Sequence, residues 1–266
     1  MVTSNSTISA TAGIRIGTAG WSIPRAAALR FGATGTHLQR YSRQLRCAEL
    51  NSSFYRPHAV TTYEKWRDST PPDFRFAVKM PRIITHELKL QNAREPLIAF
   101  LAQTAGLAEK MGPILVQLPP SLSFDAIVVA SFLELVREVY DGLVVCEPRH
   151  ATWFSPQVDA LLDRYRISRA AADPPPVPAA LAPAAWRVLA YFRLHGSPRP
   201  YWSRYDEHYI ATLATASSVQ RAGEVWCIFD NTASGAAIEN AWELRERLDA
   251  ASGSGSLPTT DDNPGP

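Results

Sequence analysis

Acidic and basic side chains follow short apolar runs at several points along this chain. Glu49 and Glu147 are the acidic members, and either carboxyl group could act as a general acid or base. Lys79, Arg149 and Arg193 are the basic members, and their side chains are suited to binding a phosphate or a carboxylate. These residue types together predict a pocket for a small anionic or sugar-like substrate, with the two glutamates among the catalytic groups.

Histidine, amide and aromatic side chains stand at similar points. His195 follows the same apolar run as Arg193, and we predict that it takes part in proton transfer as a third catalytic residue. Six further side chains are predicted to contact the substrate by hydrogen bonding or ring stacking: Asn51, Tyr55, Gln117, His150, Trp153 and Asn231. No recognised metal-ligand spacing is present, so no metal ligand is predicted, although His150 and His195 with nearby carboxylates remain a possible metal-binding set.

An internal ion-pair network is the alternative interpretation of the same charges. Buried charges are tolerated in a protein interior only when they are paired and hydrogen-bonded. Three carboxylates would then offset three cations: Glu49, Glu147 and Asp173 against Lys79, Arg149 and Arg193. A site and a network can coexist, because catalytic side chains need other side chains to hold them in place.

The apolar runs alternate with amphipathic stretches in a way that predicts a parallel sheet covered by helices. The predicted strands are 14–17, 47–50, 74–79, 114–118, 143–147, 169–173, 188–194 and 225–230. The predicted helices are 36–45, 61–69, 95–111, 125–140, 156–166, 178–186, 205–220 and 235–250. Eight successive strand–helix pairs favour an α/β fold of the TIM-like (β/α)8 barrel type, with parallel strands and outer helices.

Side-chain alternation within these strands indicates where the charges point. Successive strand residues face opposite sides of a sheet, so Glu147 and Arg149 share one side, as do Arg193 and His195. Charged residues at the carboxyl ends of barrel strands are where barrel enzymes build their sites. The first strand is followed by GTAGWSIP (17–24), which lacks the G-x-G-x-x-G pattern, so no nucleotide cofactor is predicted.

The composition limits the classes of protein and of partner. A formal net charge of +2, from 27 Lys and Arg against 25 Asp and Glu, disfavours a basic surface built for nucleic acid. No apolar run is long enough to span a bilayer and the start of the chain does not resemble a signal peptide, so a cytoplasmic location is expected. The three cysteines stand in separate apolar runs, which predicts buried free thiols.

The two ends of the chain differ in composition from the rest. Residues 1–13 are rich in Ser, Thr and Ala without any period, and we expect a flexible terminus. Residues 251–266 read ASGSGSLPTTDDNPGP, which is typical of a disordered tail. No internal segment has the composition of a linker, so residues 14–250 are predicted to form a single barrel domain.

Seven sequence motifs resemble those of the YecE-like family, also called domain of unknown function 72. They are GTAGW (17–21), AELNSSFYRPH (48–58), FRFAVKMPRIITH (74–86), GPILVQLPPS (112–121), CEPRHATW (146–153), YFRLHG (191–196) and FDNTASGAAIENA (229–241). The resemblance implies a TIM-like barrel and implies no established reaction. The polar motif positions that it implies are Glu49, Asn51, Tyr55, Lys79, His86, Gln117, Glu147, Arg149, His150, Trp153, Arg193, His195 and Asn231.

Three functional hypotheses are compatible with these residues. The first is an enzyme, a hydrolase or a lyase, in which the cations bind an anionic substrate and the carboxylates transfer protons. The second is a protein acting on nucleic acid, either a metal-assisted nuclease or a single-strand binder, which the near-neutral charge disfavours. The third is a barrel that binds a ligand without converting it. The fold does not choose among them, because this architecture supports many unrelated activities.

Overall fold

The computed structural model describes residues 13–220 and 222–253 of the chain. Within these ranges short strands alternate with helices, as the sequence predicts. The strands are β1 Ile14–Ala19, β2 Cys47–Leu50, β3 Arg75–Lys79, β4 Met111–Gln117, β5 Val144–Glu147, β6 Ser168–Arg169, β7 Ala171–Asp173, β8 Ala184–Ala185, β9 Leu189–Leu194 and β10 Glu224–Phe229. The predicted flexible residues 1–12 and most of the predicted tail, 254–266, lie outside the described residues.

Helices follow most of the strands and cover the outside of the sheet. The α-helices are α1 His37–Ser42, α2 Ser52–Tyr55, α3 Val60–Asp68, α4 Arg94–Thr104, α5 Ala126–Val139, α6 Pro156–Arg164, α7 Glu207–Ser218 and α8 Ala236–Gly253. Shorter 3₁₀ turns occupy Arg25–Phe31, Ala105–Lys110, Ala151–Trp153 and Pro178–Leu181, and a π-turn occupies Ile83–Glu87. Helix α8 continues to Gly253 and so includes the first three residues of the predicted tail.

The sheet is a nearly closed barrel of parallel strands. β1 pairs with β10 and β2, the pairing continues in order from β2 to β5, and β9 pairs with β10. The sixth barrel strand is divided: β6 pairs with β5, whereas β7 pairs with β9. Ala170 lies between the two halves and its N–H still donates to the Cys146 carbonyl at 2.9 Å. The predicted TIM-like barrel is therefore confirmed, with an interrupted sixth strand.

One predicted helix is wrong. Residues 178–186 form a single 3₁₀ turn, Pro178–Leu181, followed by β8, which pairs antiparallel with β6. The cause is local, because Pro183 has no N–H and disfavours the α conformation at the residue before it. The alanine content of this stretch favours a helix, but the proline interrupts it.

Two apolar layers enclose the strands and leave one end of the barrel to polar side chains. The outer layer, between sheet and helices, includes the alternate residues Ala48 and Leu50 of β2. The inner layer fills the barrel with these side chains: Cys47, Ala77, Leu115, Val145, Ala170, Leu189, Tyr191, Trp226 and Ile228. The next inward position along several strands is charged or amide-bearing, so strand alternation itself directs Glu49 and its counterparts into the barrel.

Candidate functional site

Arg193, on β9, is the centre of a buried charged cluster at the carboxyl end of the barrel. Its Nε donates to Glu49 Oε2 at 3.0 Å and its Nη2 donates to Glu49 Oε1 at 2.5 Å. Its Nη1 donates to Glu147 Oε2 at 2.5 Å, and Nη2 also reaches Asp230 Oδ2 at 3.1 Å. One guanidinium group thus binds three carboxylates from β2, from β5 and from the residue after β10.

The register between neighbouring strands brings these inward-facing side chains close together at the carboxyl end of the barrel. Arg193 is the Cα partner of Ile228 across β9 and β10, so the inward-facing Asp230 lies one inward step further along. Gln117 and Glu147 are Cα partners across β4 and β5. The cluster therefore consists of the inward-facing residues that come directly after the inner apolar layer of the barrel. Its members come from distant parts of the chain.

Burial and charge together determine the ionisation of this cluster. Burial would raise the pKa of Glu147, but Arg193, Arg149 and His195 overcome this and hold the pKa well below its ordinary value. Burial also opposes ionisation of Asp230, and the His195 hydrogen bond and the Arg193 charge lower its pKa. Burial disfavours charged Arg193, yet Glu147, Glu49 and Asp230 hold its pKa well above the ordinary range.

His195 contacts two carboxylates of the cluster, those of Asp230 and Glu147. Its Nδ1 lies 3.1 Å from Asp230 Oδ2, and its Nε2 lies 3.2 Å from Glu147 Oε1. Nε2 also contacts Nη2 of Arg149. The ring is only 1% exposed, so His195 orients Asp230 and Arg149 from inside the protein.

A cavity of about 430 Å³ lies above this cluster. Its lining residues are Asn51, Tyr55, Lys79, Gln117, Pro120, Arg149, Arg193, Tyr201, Asp230 and Thr232. Six of them come from barrel strands or from the two residues after a strand, which is where barrel enzymes carry their sites. Asn51 Oδ1 is buried and has no hydrogen-bond partner in the part of the chain that the structure describes. The cavity therefore combines charged, amide and aromatic side chains.

Lys79, at the end of β3, has a different environment from the arginines. Its Nζ lies 4.0 Å from the centre of the Phe54 ring, and it has no hydrogen-bond or ion-pair partner among residues 13–220 and 222–253. Burial, assisted by the Arg193 charge, lowers the pKa of Lys79 to about 8, although Glu49, Glu147 and Asp230 act in the opposite direction. A substantial fraction of the side chain is therefore uncharged near neutral pH.

The predicted site residues divide between the cavity and the protein interior. Those that line the cavity are Asn51, Tyr55, Lys79, Gln117, Arg149 and Arg193. Glu49 and Glu147 have no exposed surface and are bound to Arg193 beneath the cavity. Both glutamates therefore belong to an internal ion-pair network, the alternative interpretation of these charges in the sequence. The third carboxylate of that network is Asp230, not Asp173.

Three predicted substrate-binding residues lie away from the cavity lining. Trp153 is 1% exposed and donates from its indole nitrogen to the Leu122 carbonyl at 2.9 Å, so it packs in the core. His150 caps the short turn that follows it by accepting from the Thr152 N–H. Asn231 is buried, and its amide nitrogen donates to the carbonyl of Ser203 and to Asn240. A position near the end of a strand does not by itself direct a side chain into the barrel, because successive side chains point to opposite sides of the sheet.

Asp173 and His86 also have positions that the sequence left undetermined. Asp173 Oδ1 accepts from the Tyr205 hydroxyl at 2.8 Å and anchors the segment after β9. His86 Nδ1 lies 2.8 Å from Thr85 Oγ1, and the ring packs edge-on against Phe54 at 5.0 Å. His86 therefore borders the residue that contacts Lys79, whereas Asp173 is outside the Arg193 cluster.

Tyr201 is a lining residue that the sequence interpretation missed. Its ring lies edge-on to His195 at a centroid distance of 5.6 Å and is about half exposed. The residue follows β9 in the segment SPRPYWS (197–203), which carries no periodic signal. Asp230 was recognisable as a polar residue at the end of the last strand. Its inward direction follows from the alternation of Trp226 and Ile228.

Among residues 13–220 and 222–253, no group of three or more His, Cys, Asp or Glu side chains is arranged to hold a metal ion. Over the same ranges, no helix combines the length and apolar character needed to cross a membrane.

Known proteins resemble this chain over most of its length. The family model described as "Protein of unknown function DUF72" matches residues 15–263. The UPF0759 protein YunF of Bacillus subtilis (strain 168) is 25% identical over 89% of this chain and 95% of YunF. The UPF0759 protein YecE of Escherichia coli (strain K12) is 34% identical over 40% of this chain, and that match spans only 38% of YecE.

Solved structures give the same result for the fold. A DUF72 family protein from Enterococcus faecalis V583 superposes with a TM-score of 0.76 at 24% identity, covering 95% of this chain and 99% of that one. A DUF72 family protein from Thermotoga maritima MSB8 superposes with a TM-score of 0.73 at 26% identity, covering 89% of this chain and 99% of that one. With the family model matching nearly the whole barrel, this chain belongs to the DUF72 family.

Proposed function

We propose that this protein is an enzyme that binds a small anionic substrate in the cavity at the carboxyl end of the barrel. The observation that carries the proposal is that Lys79 and Arg149 both line a cavity beneath which Arg193 pairs with Glu49 and, together with Arg149, with Glu147. The volume of about 430 Å³ falls within the roughly 300–1,000 Å³ typical of small-molecule sites. A nucleic acid strand would need an extended groove instead.

The lining residues suggest how such a substrate binds. Arg149 and Lys79 provide the positive charge for a carboxylate or phosphate group. Asn51 and Gln117 line the cavity, and their side-chain amides are of the type that hydrogen-bonds substrate hydroxyl groups. Tyr55 and Tyr201 are exposed at the cavity and provide apolar ring surface. This combination suits an anion that also carries hydroxyl groups.

Asp230 is the carboxylate that we assign to proton transfer. It lines the cavity, and its low pKa keeps it ionised, so it is available as a base. His195 holds it through the hydrogen bond at Oδ2. Glu49 and Glu147 become positioning residues for Arg193, because neither has exposed surface from which to reach a substrate.

A lyase fits this arrangement better than a glycoside hydrolase. Glycoside hydrolysis generally uses two carboxyl groups that both face the scissile bond. Asp230 is the only carboxylate among the described residues that line this cavity. A single base beside two cations suits removal of a proton next to a carbon that bears an electron-withdrawing group.

Thermal-shift measurements with a panel of small anions test the proposal. The panel contains inorganic phosphate, sugar phosphates and 2-oxo acids, with neutral sugars and short single-stranded oligonucleotides for comparison. A ligand at about 100 times its dissociation constant stabilises the folded state by about 2.7 kcal/mol, which is a shift of several degrees. We expect the shift in wild type and its loss in Arg149→Ala.

Arg46→Ala is the matched control. Arg46 precedes β2 at the opposite end of the barrel, and the ion pair between its side chain and Asp73 is exposed. It should keep the wild-type shift. No shift with any anion, or an equal shift in both arginine variants, would contradict the proposed site, and a shift with oligonucleotides alone would support nucleic-acid binding. Conversion of the bound anion then separates an enzyme from a ligand-binding barrel.

A further inference from the structure

Buried Lys110 and half-buried Lys79 have opposite surroundings. Lys110 Nζ donates to the carbonyls of Arg67 and Thr70, at 2.6 Å each, and to the Thr70 hydroxyl at 3.1 Å. Lys79 Nζ has no acceptor among the described residues and lies against the face of the Phe54 ring. Lys110 is therefore fully occupied as a structural cross-link, whereas the Lys79 amine is not used by the fold.

The position of Lys79 gives that amine access to a ligand. The residue ends β3 with its side chain directed into the barrel, and it lines the cavity together with Arg149 and Asp230. An ammonium group serving only as a counter-charge would normally pair with a carboxylate, and Arg193 has already taken the nearby ones. The Lys79 amine thus faces the cavity without a competing partner in the part of the chain that the structure describes.

We propose that Lys79 is a nucleophile that forms an imine with the carbonyl carbon of the substrate, which makes that substrate a small anionic aldehyde or ketone. This inference rests on the proposed function, since the anion bound by Arg149 would hold the carbonyl group near Nζ. A 2-oxo acid or a phosphorylated sugar in its open-chain form has both groups. Buried lysines next to another cation are the ones that proteins use for such chemistry.

The chemistry balances without an oxidant or reductant. The lone pair of the neutral amine attacks the carbonyl carbon, a C–N bond forms, and the carbonyl oxygen takes up a proton. The C–O bond then breaks and the oxygen leaves as water, carrying the two hydrogens that the nitrogen has lost. Protonation of the imine makes it an electron sink, so Asp230 could remove a proton from the adjacent carbon.

The electrostatic surroundings support a neutral amine near physiological pH. With a pKa of about 8, roughly half of the Lys79 side chains are uncharged at pH 8, against under about 1% for an ordinary lysine. Arg193 opposes the charged form, whereas Glu49, Glu147 and Asp230 favour it. His86 packs against Phe54 as well, and burial together with the Lys79 and Arg82 charges lowers its pKa.

Reductive trapping with a small anionic aldehyde tests the inference. The full-length protein is incubated with glyoxylate and cyanoborohydride at pH 8, and each lysine is examined by peptide mass spectrometry. The chain has four lysines, Lys65, Lys79, Lys89 and Lys110, so the sites are easily resolved. We expect alkylation at Lys79 to exceed that at exposed Lys65 and Lys89 by about tenfold or more, since its neutral fraction is larger.

Two variants and a second probe separate this inference from the proposed function. Lys79→Arg keeps the charge, so it should lose trapping while retaining anion-induced thermal shifts; Lys79→Met should lose trapping as well. Glycolaldehyde, a neutral aldehyde, should label Lys79 more slowly than glyoxylate does. Labelling of Lys79 no faster than Lys65, in a protein whose anion binding is intact, would overturn the imine. Equal labelling by both aldehydes would keep the imine and contradict the anion site.

Discussion

Arg193 and Glu49 form a two-bond ion pair inside the barrel, although 144 residues separate them in the chain. Nε and Nη2 of the guanidinium donate to the two carboxylate oxygens at 3.0 and 2.5 Å. This paired geometry fixes the orientation of the guanidinium, and Tyr191 adds a hydrogen bond to Glu49 at 2.9 Å. The floor of the cavity is consequently rigid, which favours accurate placement of the groups above it.

Replacement of Arg193 should strongly destabilise the protein. Arg193→Met removes the cation that three carboxylates share. Glu147 keeps its pair with Arg149, whereas Glu49 is left fully buried with no ion-pair partner among the described residues, and breaking a buried pair in this way typically costs about 3–5 kcal/mol. Urea denaturation measures the change in the free energy of unfolding. Arg46→Ala removes an exposed pair and should change it by less than about 1 kcal/mol. Similar losses in both variants would mean that the cluster is not the main source of stability here.

Stability should fall in acid because of Glu147 and Asp230. Both have folded-state pKa values below their ordinary ones, so the unfolded chain binds more protons and the stabilisation is fully present above about pH 4.5. It is lost progressively as the pH falls from there through the folded-state pKa values. Urea unfolding between pH 3 and pH 7 should show this slope, and Glu147→Gln should reduce it. An unchanged slope in the variant would contradict the assignment.

Lys79 should lower stability at neutral pH. Its folded-state pKa of about 8 is below the unfolded value of about 10.4, so the folded protein binds fewer protons between these values and stability rises with pH across this window. Lys79→Met should therefore be more stable than wild type at pH 7, by about 1–3 kcal/mol, with the advantage shrinking above pH 8. A variant that is less stable than wild type at pH 7 would indicate that Lys79 supports the fold.

Tyr201 and Trp153 should differ in what their removal changes. Tyr201 is half exposed at the cavity, so Tyr201→Ala should weaken the anion-induced thermal shift and change the free energy of unfolding by less than about 1 kcal/mol. Trp153 is buried, so Trp153→Ala should cost about 3–5 kcal/mol of stability. Denaturation and thermal-shift data on both variants would check this. A weakened thermal shift in Trp153→Ala, with an unchanged shift in Tyr201→Ala, would mean that Trp153 and not Tyr201 contacts the ligand.

Most of the fold followed from local patterns. The eight apolar runs predicted the barrel strands, because period-two alternation and helix-like spacing are properties of short segments. The same alternation predicted that Glu147 and Arg149 share a side, and that Arg193 and His195 do. It could not predict the break at Ala170, since β6 and β7 pair with different neighbours and that choice depends on closure of the whole barrel.

The sequence by itself determined the barrel and the presence of charged residues at the carboxyl ends of its strands. Only the tertiary structure decided which charges pair. Glu49, Glu147 and Asp230 became counter-ions of Arg193, whereas Lys79 retained a free amine at the cavity. The physical reason is that ion pairing depends on distances of a few ångströms between side chains from remote strands. Barrel register and closure set those distances, and no local pattern encodes them.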